Sequence, residues 1–360
     1  LTPAPLKYNE IMPRVAIENL KLIGIDDLIN LIGKDLEGIR YAMADSSYSK
    51  QLSAVSSNIL DSRFLEVVLM QNYAVTIQKL IDFSQGNIKK LLIALSKKVE
   101  VANIKTMLMA AHASIDVSEA LKSIVPMGGL DLERCRAILI EAKSVEDVIV
   151  ALSDFEYGKI LKSVVEKEGK IALPLLEVAL DKAVYREILS NIEKLAGIDR
   201  KIAKTVLGIE LDAINVKTIL KGKGLAISPE VIKKYLLPPA FFTEDVLEEV
   251  MENTDVKSMI EGLSPIVESA HLVYKKIFNQ LLKESDAPLP ILEAILDKAP
   301  LEMSLYQLRE YSRYYNIGFI LAFLNLKWAE VKNLRCIIKG SERRIPSSQV
   351  QKLLAIPDEW

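Results

Sequence analysis

Cysteine is almost missing from this chain of 360 residues: Cys135 and Cys336 are the only two, far apart and without a CxxC spacing. A disulfide framework is therefore not expected, and a reducing compartment fits. Histidine is equally scarce. His112 and His271 stand alone, without ligand-like neighbours, so no metal site is expected. Aromatic residues make up 6% of the chain. No apolar run approaches the ~20 residues of a membrane-spanning helix, although half the residues are apolar and mean hydropathy is +0.20. An excess of one charge is lacking too, since 46 basic and 48 acidic residues leave −2. That balance offers no footprint for nucleic acid. The amino end, LTPAPLKYNEIMPR, lacks the apolar core of a secretory signal. GxxxxGK[ST], GxSxG and HExxH are all missing, so neither catalytic residues nor a cofactor are expected.

What is present is repetition. EVANIKTML (100–108), DAINVKTIL (212–220) and EVKNLRCII (330–338) share one cassette of acid, two residues, Asn, aliphatic, base, one residue, two aliphatics. Asn103, Asn215 and Asn333 are separated by 112 residues (215 − 103) and 118 residues (333 − 215). Other landmarks keep the same order. IDVSEALKSIVP (115–126) matches ISPEVIKKYLLP (227–238), with IPSSQVQKLLAIP (345–357) as the third version. LPLLEVALDKA (173–183) matches LPILEAILDKA (289–299), and LEVVLMQ (65–71) fills that slot in the first copy. KDLEGIRYAMADSSYSK (34–50) matches KSVEDVIVALSDFEYGK (143–159), pairing Tyr48 with Tyr157; NTDVKSMIEGLSP (253–265) is a weaker third version. The expected division is three units of about 112–119 residues, 1–126, 127–238 and 239–360, with seams at Met127–Gly–Gly and Pro238–Pro239.

Periodicity is helical throughout, and the fold class expected is all-α. In the cassette, apolar residues fall at −2, +1, +4 and +5 from Asn, one stripe about 120° wide. The base at +2 lies about 140° round the helix from the acid, so the two are poorly placed to pair. Glu100, Asp212 and Glu330 must find partners elsewhere. Asp116 and Ser228 look like helix starts. Gly222, Gly224 and Gly340 are placed as left-handed C-terminal caps. Two readings of the cassette stand side by side: a repeated buried hydrogen bond, or a surface for a shared partner. For the second, the candidate partner-binding residues are Asn103, Lys105, Asn215, Lys217, Lys221, Lys223, Asn333, Arg335 and Lys339. The segment Lys221–Gly–Lys–Gly reads as a capped turn or as a contact to an acidic partner.

The ordered set of landmarks resembles the C-type subunits of archaeal and bacterial A/V-type ATPases, whose eukaryotic equivalent is the d-type subunit. Pro13–Arg14–Val15 with its helix, the triplicated unit, and above all WAEVKNLRCIIKG (328–340) with IPSSQVQKLL (345–354) carry the resemblance. It implies a non-catalytic rotor part, a funnel of three similar subdomains between the central shaft (the D and F subunits) and the proteolipid (c/K) ring. The place implied is peripheral, on the cytoplasmic face of the membrane, with no membrane span of its own. Two departures stand out: Pro3 and Pro5 ahead of the first helix, and MLMAAHA where the other cassettes run into Lys-Gly. If the Lys-Gly turns meet a partner, the first unit contributes less. The alternative reading is a generic α-helical scaffold of the cytoplasm.

Overall fold

A computed structural model describes residues 8–54, 61–253, 255–312 and 315–357. Pro3 and Pro5 lie outside the described residues. Helices are the only regular elements among those described, apart from an isolated bridge between Met127 and Leu130.

Helix lengths repeat in the order short, short, short, long, long, short. After α1 (Ile11–Asn19), the first round is α2 (Ile25–Leu31), α3 (Leu36–Ala44), α4 (Ser49–Ala54), α5 (Ser62–Asp82), α6 (Gly86–Ala113) and α7 (Val117–Leu121). The second is α8 (Leu132–Glu141), α9 (Val145–Ala151), α10 (Glu156–Glu168), α11 (Leu173–Glu193), α12 (Gly197–Gly224) and α13 (Pro229–Tyr235). The third is α14 (Glu244–Glu252), α15 (Val256–Val267), α16 (Leu272–Lys283), α17 (Leu289–Glu310), α18 (Ile317–Glu342) and α19 (Ser347–Lys352). Among the described residues no helix is long and apolar enough to cross a membrane.

Packing gathers the chain into two compact units, Arg40–Lys194 and Leu195–Trp360 with Leu1–Ile39. In the first, α6 packs on α5 and α11; in the second, α17 packs between α12 and α18, and α1 and α2 pack on α18. The cassettes sit on the long helices α6, α12 and α18. Their apolar stripes form the core as the periodicity requires: Val101, Ile104, Met107 and Leu108, then Ala213, Val216, Ile219 and Leu220, are all buried. Val331, Leu334, Ile337 and Ile338 complete the set. Asp116 caps α7 by accepting the Ser118 N–H, and Ser228 occupies the cap position ahead of Pro229.

The glycines do something other than what was expected. Gly222, Gly224 and Gly340 lie inside α12 and α18, not at left-handed caps. The left-handed residues at the ends of α6, α12 and α18 are Ser114, Ala226 and Arg344, at φ of 51°, 51° and 53°. Each is followed by an isoleucine whose N–H returns to a carbonyl five residues back: Ile115 to Ala110, Ile227 to Gly222, Ile345 to Gly340. That is a Schellman ending, repeated three times. What Gly222 and Gly340 provide is close approach. A Cβ added at Gly222 would stand 2.4 Å from Ile232 Cδ1, and one at Gly340 2.6 Å from Val350 Cγ2. The first round has Ala110 and Ala120 at the same two positions, both buried. A larger helix residue is matched there by a smaller partner, so volume is conserved across the joint. Gly222→Ala is expected to cost about 1–3 kcal/mol by overpacking. Gly222→Ala combined with Ile232→Ala should cost less than the two separate losses together, read as urea midpoints.

Candidate functional site: three cassettes as joints

Each cassette asparagine is buried and faces the chain's own backbone. Asn103 donates through Nδ2 to the Val125 carbonyl (2.7 Å) and accepts the Val125 N–H (2.9 Å). Asn215 does the same to Leu237, at 3.3 and 2.8 Å. Asn333 does it to Ala355, at 3.2 and 2.8 Å. In all three the partner lies 22 residues downstream. An amide side chain is suited to this task because it carries one donor and one acceptor side by side, the complement of a single residue's backbone. Each clamp fixes the segment that follows the short helix α7, α13 or α19.

The acids hold the beginning of the next round. Glu100 accepts the Gly129 N–H at 2.7 Å and the Tyr157 hydroxyl at 2.7 Å. Gly128 must be glycine here: its φ is +59°, and a Cβ would fall 1.9 Å from Glu100 Oε1. Asp212 accepts the N–H groups of Phe241 (3.1 Å) and Phe242 (3.2 Å) and the Tyr274 hydroxyl (2.6 Å). The third acid has no later round to hold. Glu330 instead accepts the N–H of Ile23, near the start of the chain, at 2.5 Å. Its second donor is Lys327, one turn back on α18, at 2.6 Å. At its third joint the chain thus uses its own beginning where the other joints use the next round.

The bases repeat the same step. Lys105 on α6 meets both oxygens of Asp181 on α11 at 2.7 Å. Lys217 on α12 meets Asp297 on α17 at 2.5 Å, and Lys332 joins the same carboxylate at 2.9 Å. Asp181 and Asp297 are the shared aspartates of LEVALDKA and LEAILDKA, so Lys105 and Lys217 each reach one round forward. Arg335, the third base, is half-buried on α18. Lys221, exposed, pairs with Glu293 at 3.2 Å. Lys223 donates to the carbonyls of Met251 and Asn253, and Lys339 lies 3.6 Å from Glu342. Of the residues read as partner-facing, the asparagines are turned wholly inward, and of the bases Lys221 is the one that stands exposed.

Sequence reading paired Tyr157 with Tyr48 but missed Tyr274 and the bond each of Tyr157 and Tyr274 makes to a cassette acid. Tyr157 and Tyr274 play one part, but α15 runs 12 residues where α9 runs 7, and that length difference hides the match. Asp181 and Asp297 had a usable signal, the shared LDKA, which served only as a register mark.

Burial pushes the Asp212 carboxyl up to about 6, against the lowering effect of the Tyr274 hydroxyl and the N–H groups of Phe242, Phe241 and Ala240. Raised above the ordinary carboxylate value near 3.9, the group favours the folded chain when protonated. Its contribution is fully present below about pH 4 and is lost as pH rises through about 6. Relative to Asp212→Asn, the wild-type chain should lose on the order of 2–3 kcal/mol between pH 4 and pH 7. Paired urea titrations of the two proteins measure this, and a difference independent of pH refutes it.

Among the described residues no group of three His, Cys, Asp or Glu side chains is placed to hold a metal. Cys135 and Cys336 are free thiols, and burial raises both. The cassette carboxylates each accept two or three hydrogen bonds from the chain itself. Their arrangement fastens one round of helices to the next.

Comparison with known proteins gives one family. Residues 12–353 match the family described as ATP synthase (C/AC39) subunit. The C-type subunit of the A-type ATP synthase of Methanocaldococcus jannaschii is 27% identical over 356 residues, 98% of this chain and 86% of that protein. Its counterpart in the A-type ATP synthase of Archaeoglobus fulgidus is 24% identical over 348 residues, 96% of this chain and 95% of the relative. The counterpart in Methanosphaera stadtmanae is 28% identical over 304 residues, covering 83% and 76%.

Proposed function

The chain belongs to the ATP synthase (C/AC39) subunit family, and from that premise we propose that it is a non-catalytic rotor component joining the central shaft to the membrane ring. The observation that carries the reading is the family match across almost the whole length. On this reading the three units 1–126, 127–238 and 239–360 form a pseudo-threefold funnel. The D and F subunits of the shaft enter it, and it rests on the proteolipid ring at the cytoplasmic face. Torque passes through the funnel as ATP turnover elsewhere is coupled to proton or sodium movement.

The joints support this reading. A part that transmits torque must be stiff, and its stiffness has to extend round the body. Here each cassette fastens the next round through an acid, and Glu330 fastens the chain's beginning by the same device. Links of one kind repeated along the chain suit a part that must carry load. Of the candidate residues, Lys221 is the best placed for a partner, because it is exposed.

The test is reconstitution. With the chain present, the D–F pair and the proteolipid ring are expected to purify as one assembly. Without it, ATP hydrolysis by the catalytic part should continue while ion transport stops. A chain that bound neither the D–F pair nor the ring would overturn the proposal and leave the helical-scaffold reading.

A further inference from the structure

Between α9 and α10, within the unit Arg40–Lys194, lies a half-open cavity of about 490 Å³. Its apolar surface comes from Ile149, Val150 and Val165, and Lys159, Lys162 and Glu146 stand among its lining residues. Ile149 is buried, whereas Val150 is 70% exposed. Gly158 sets the spacing: a Cβ there would fall 2.3 Å from the Leu152 carbonyl oxygen, so only glycine lets α10 lie this near the end of α9. The lysines are not neutralised across the gap. Lys162 has Glu166 on its own helix at 4.0 Å, with both side chains mostly exposed, a contact of little strength. Lys159 has no ion-pair partner among the described residues.

The cavity is not part of the repeated frame. In the first round the position of Val150 is held by Tyr41, 75% exposed, but the following helix α4 has 6 residues where α10 has 13. In the third round the following helix α16 is long, yet the position is held by Glu261. Only the second round combines the exposed apolar residue with a long neighbouring helix. Its volume falls in the roughly 300–1,000 Å³ range of small-ligand sites, which pair an apolar lining with a few placed polar groups.

We infer that this cavity binds a single-chain anionic amphiphile, its alkyl chain on Ile149, Val150 and Val165 and its head group at Lys159 and Lys162. The inference rests on the shape and charge of this round and is independent of the rotor reading. Against the single carboxylate of Glu146, a cationic head would meet two like charges, and a neutral one would leave both lysines unused.

Dodecanoate and dodecyl phosphate, titrated below their micelle concentrations into the full chain by calorimetry, are expected to bind once and saturably. Val150→Glu, which installs the residue the third round already carries there, should abolish binding without moving the unfolding midpoint. Lys159→Glu with Lys162→Glu should weaken it at least tenfold, and dodecanol should bind at least tenfold more weakly than dodecanoate. No saturable binding, or binding unchanged in the lysine pair variant, would overturn the inference. So would association with anionic phospholipid vesicles alone, without binding of the monomeric amphiphiles.

Discussion

Glu330→Ala is expected to destabilise the chain by about 3–5 kcal/mol, the cost of removing one partner from a buried ion pair. Two groups lose their bond to Glu330 at once. Lys327, with 3% of its side chain exposed, loses the carboxylate 2.6 Å away, and the Ile23 N–H loses its acceptor. The loss should appear as a lowered midpoint in urea. It should also appear as faster amide exchange around Ile23, while the first two joints keep their protection.

The pair itself is weak grounds for stability, because two charges have been taken out of water to make it. Replacing both Lys327 and Glu330 by methionine is therefore expected to cost far less than Glu330→Ala, and can come out neutral. What the double variant does not restore is the acceptor for Ile23. Protection at Ile23 should stay low even where global stability recovers. Recovery of both together would show that the ion pair, and not the carboxylate's grip on the beginning of the chain, is what orders α1 and α2.

The repeat and the all-α class were legible because both depend on side-chain pattern. Helical stripes such as Ile104, Met107 and Leu108 recur wherever a long helix must bury one face. The polar half of each cassette was legible only as a need. The acids were seen to want partners, yet the partners are mostly backbone N–H groups, of Gly129, Phe241, Phe242 and Ile23, which leave no trace in residue type. The asparagine partners Val125, Leu237 and Ala355 likewise share nothing but register. The glycines misled for a related reason. A helix-terminal glycine serves either a left-handed turn or a close approach, and the residue that settles the matter, Ile232 or Val350, lies ten positions further on.

Asn215→Ala is expected to be the costliest single change at the second joint, about 2–5 kcal/mol. The residue is fully buried, and its loss orphans both the N–H and the carbonyl of Leu237. Each unsatisfied buried group costs about 1–3 kcal/mol, and Leu237 itself is buried. Asn215→Asp separates the two bonds. A carboxylate still accepts the Leu237 N–H, but it faces the Leu237 carbonyl with a second acceptor and brings a charge beside buried Asp212. The aspartate variant should therefore lose at least as much as the alanine one at neutral pH, and less in acid, where a protonated carboxyl can donate. Asn215→Leu removes the pairing while filling the volume, so it reports the orphaned groups without a cavity. If that variant were as stable as wild type, the clamp would contribute nothing and the joint would rest on packing alone. If it fell with the alanine variant, the two hydrogen bonds repeated at Asn103 and Asn333 would be what ties each long helix to the segment 22 residues beyond.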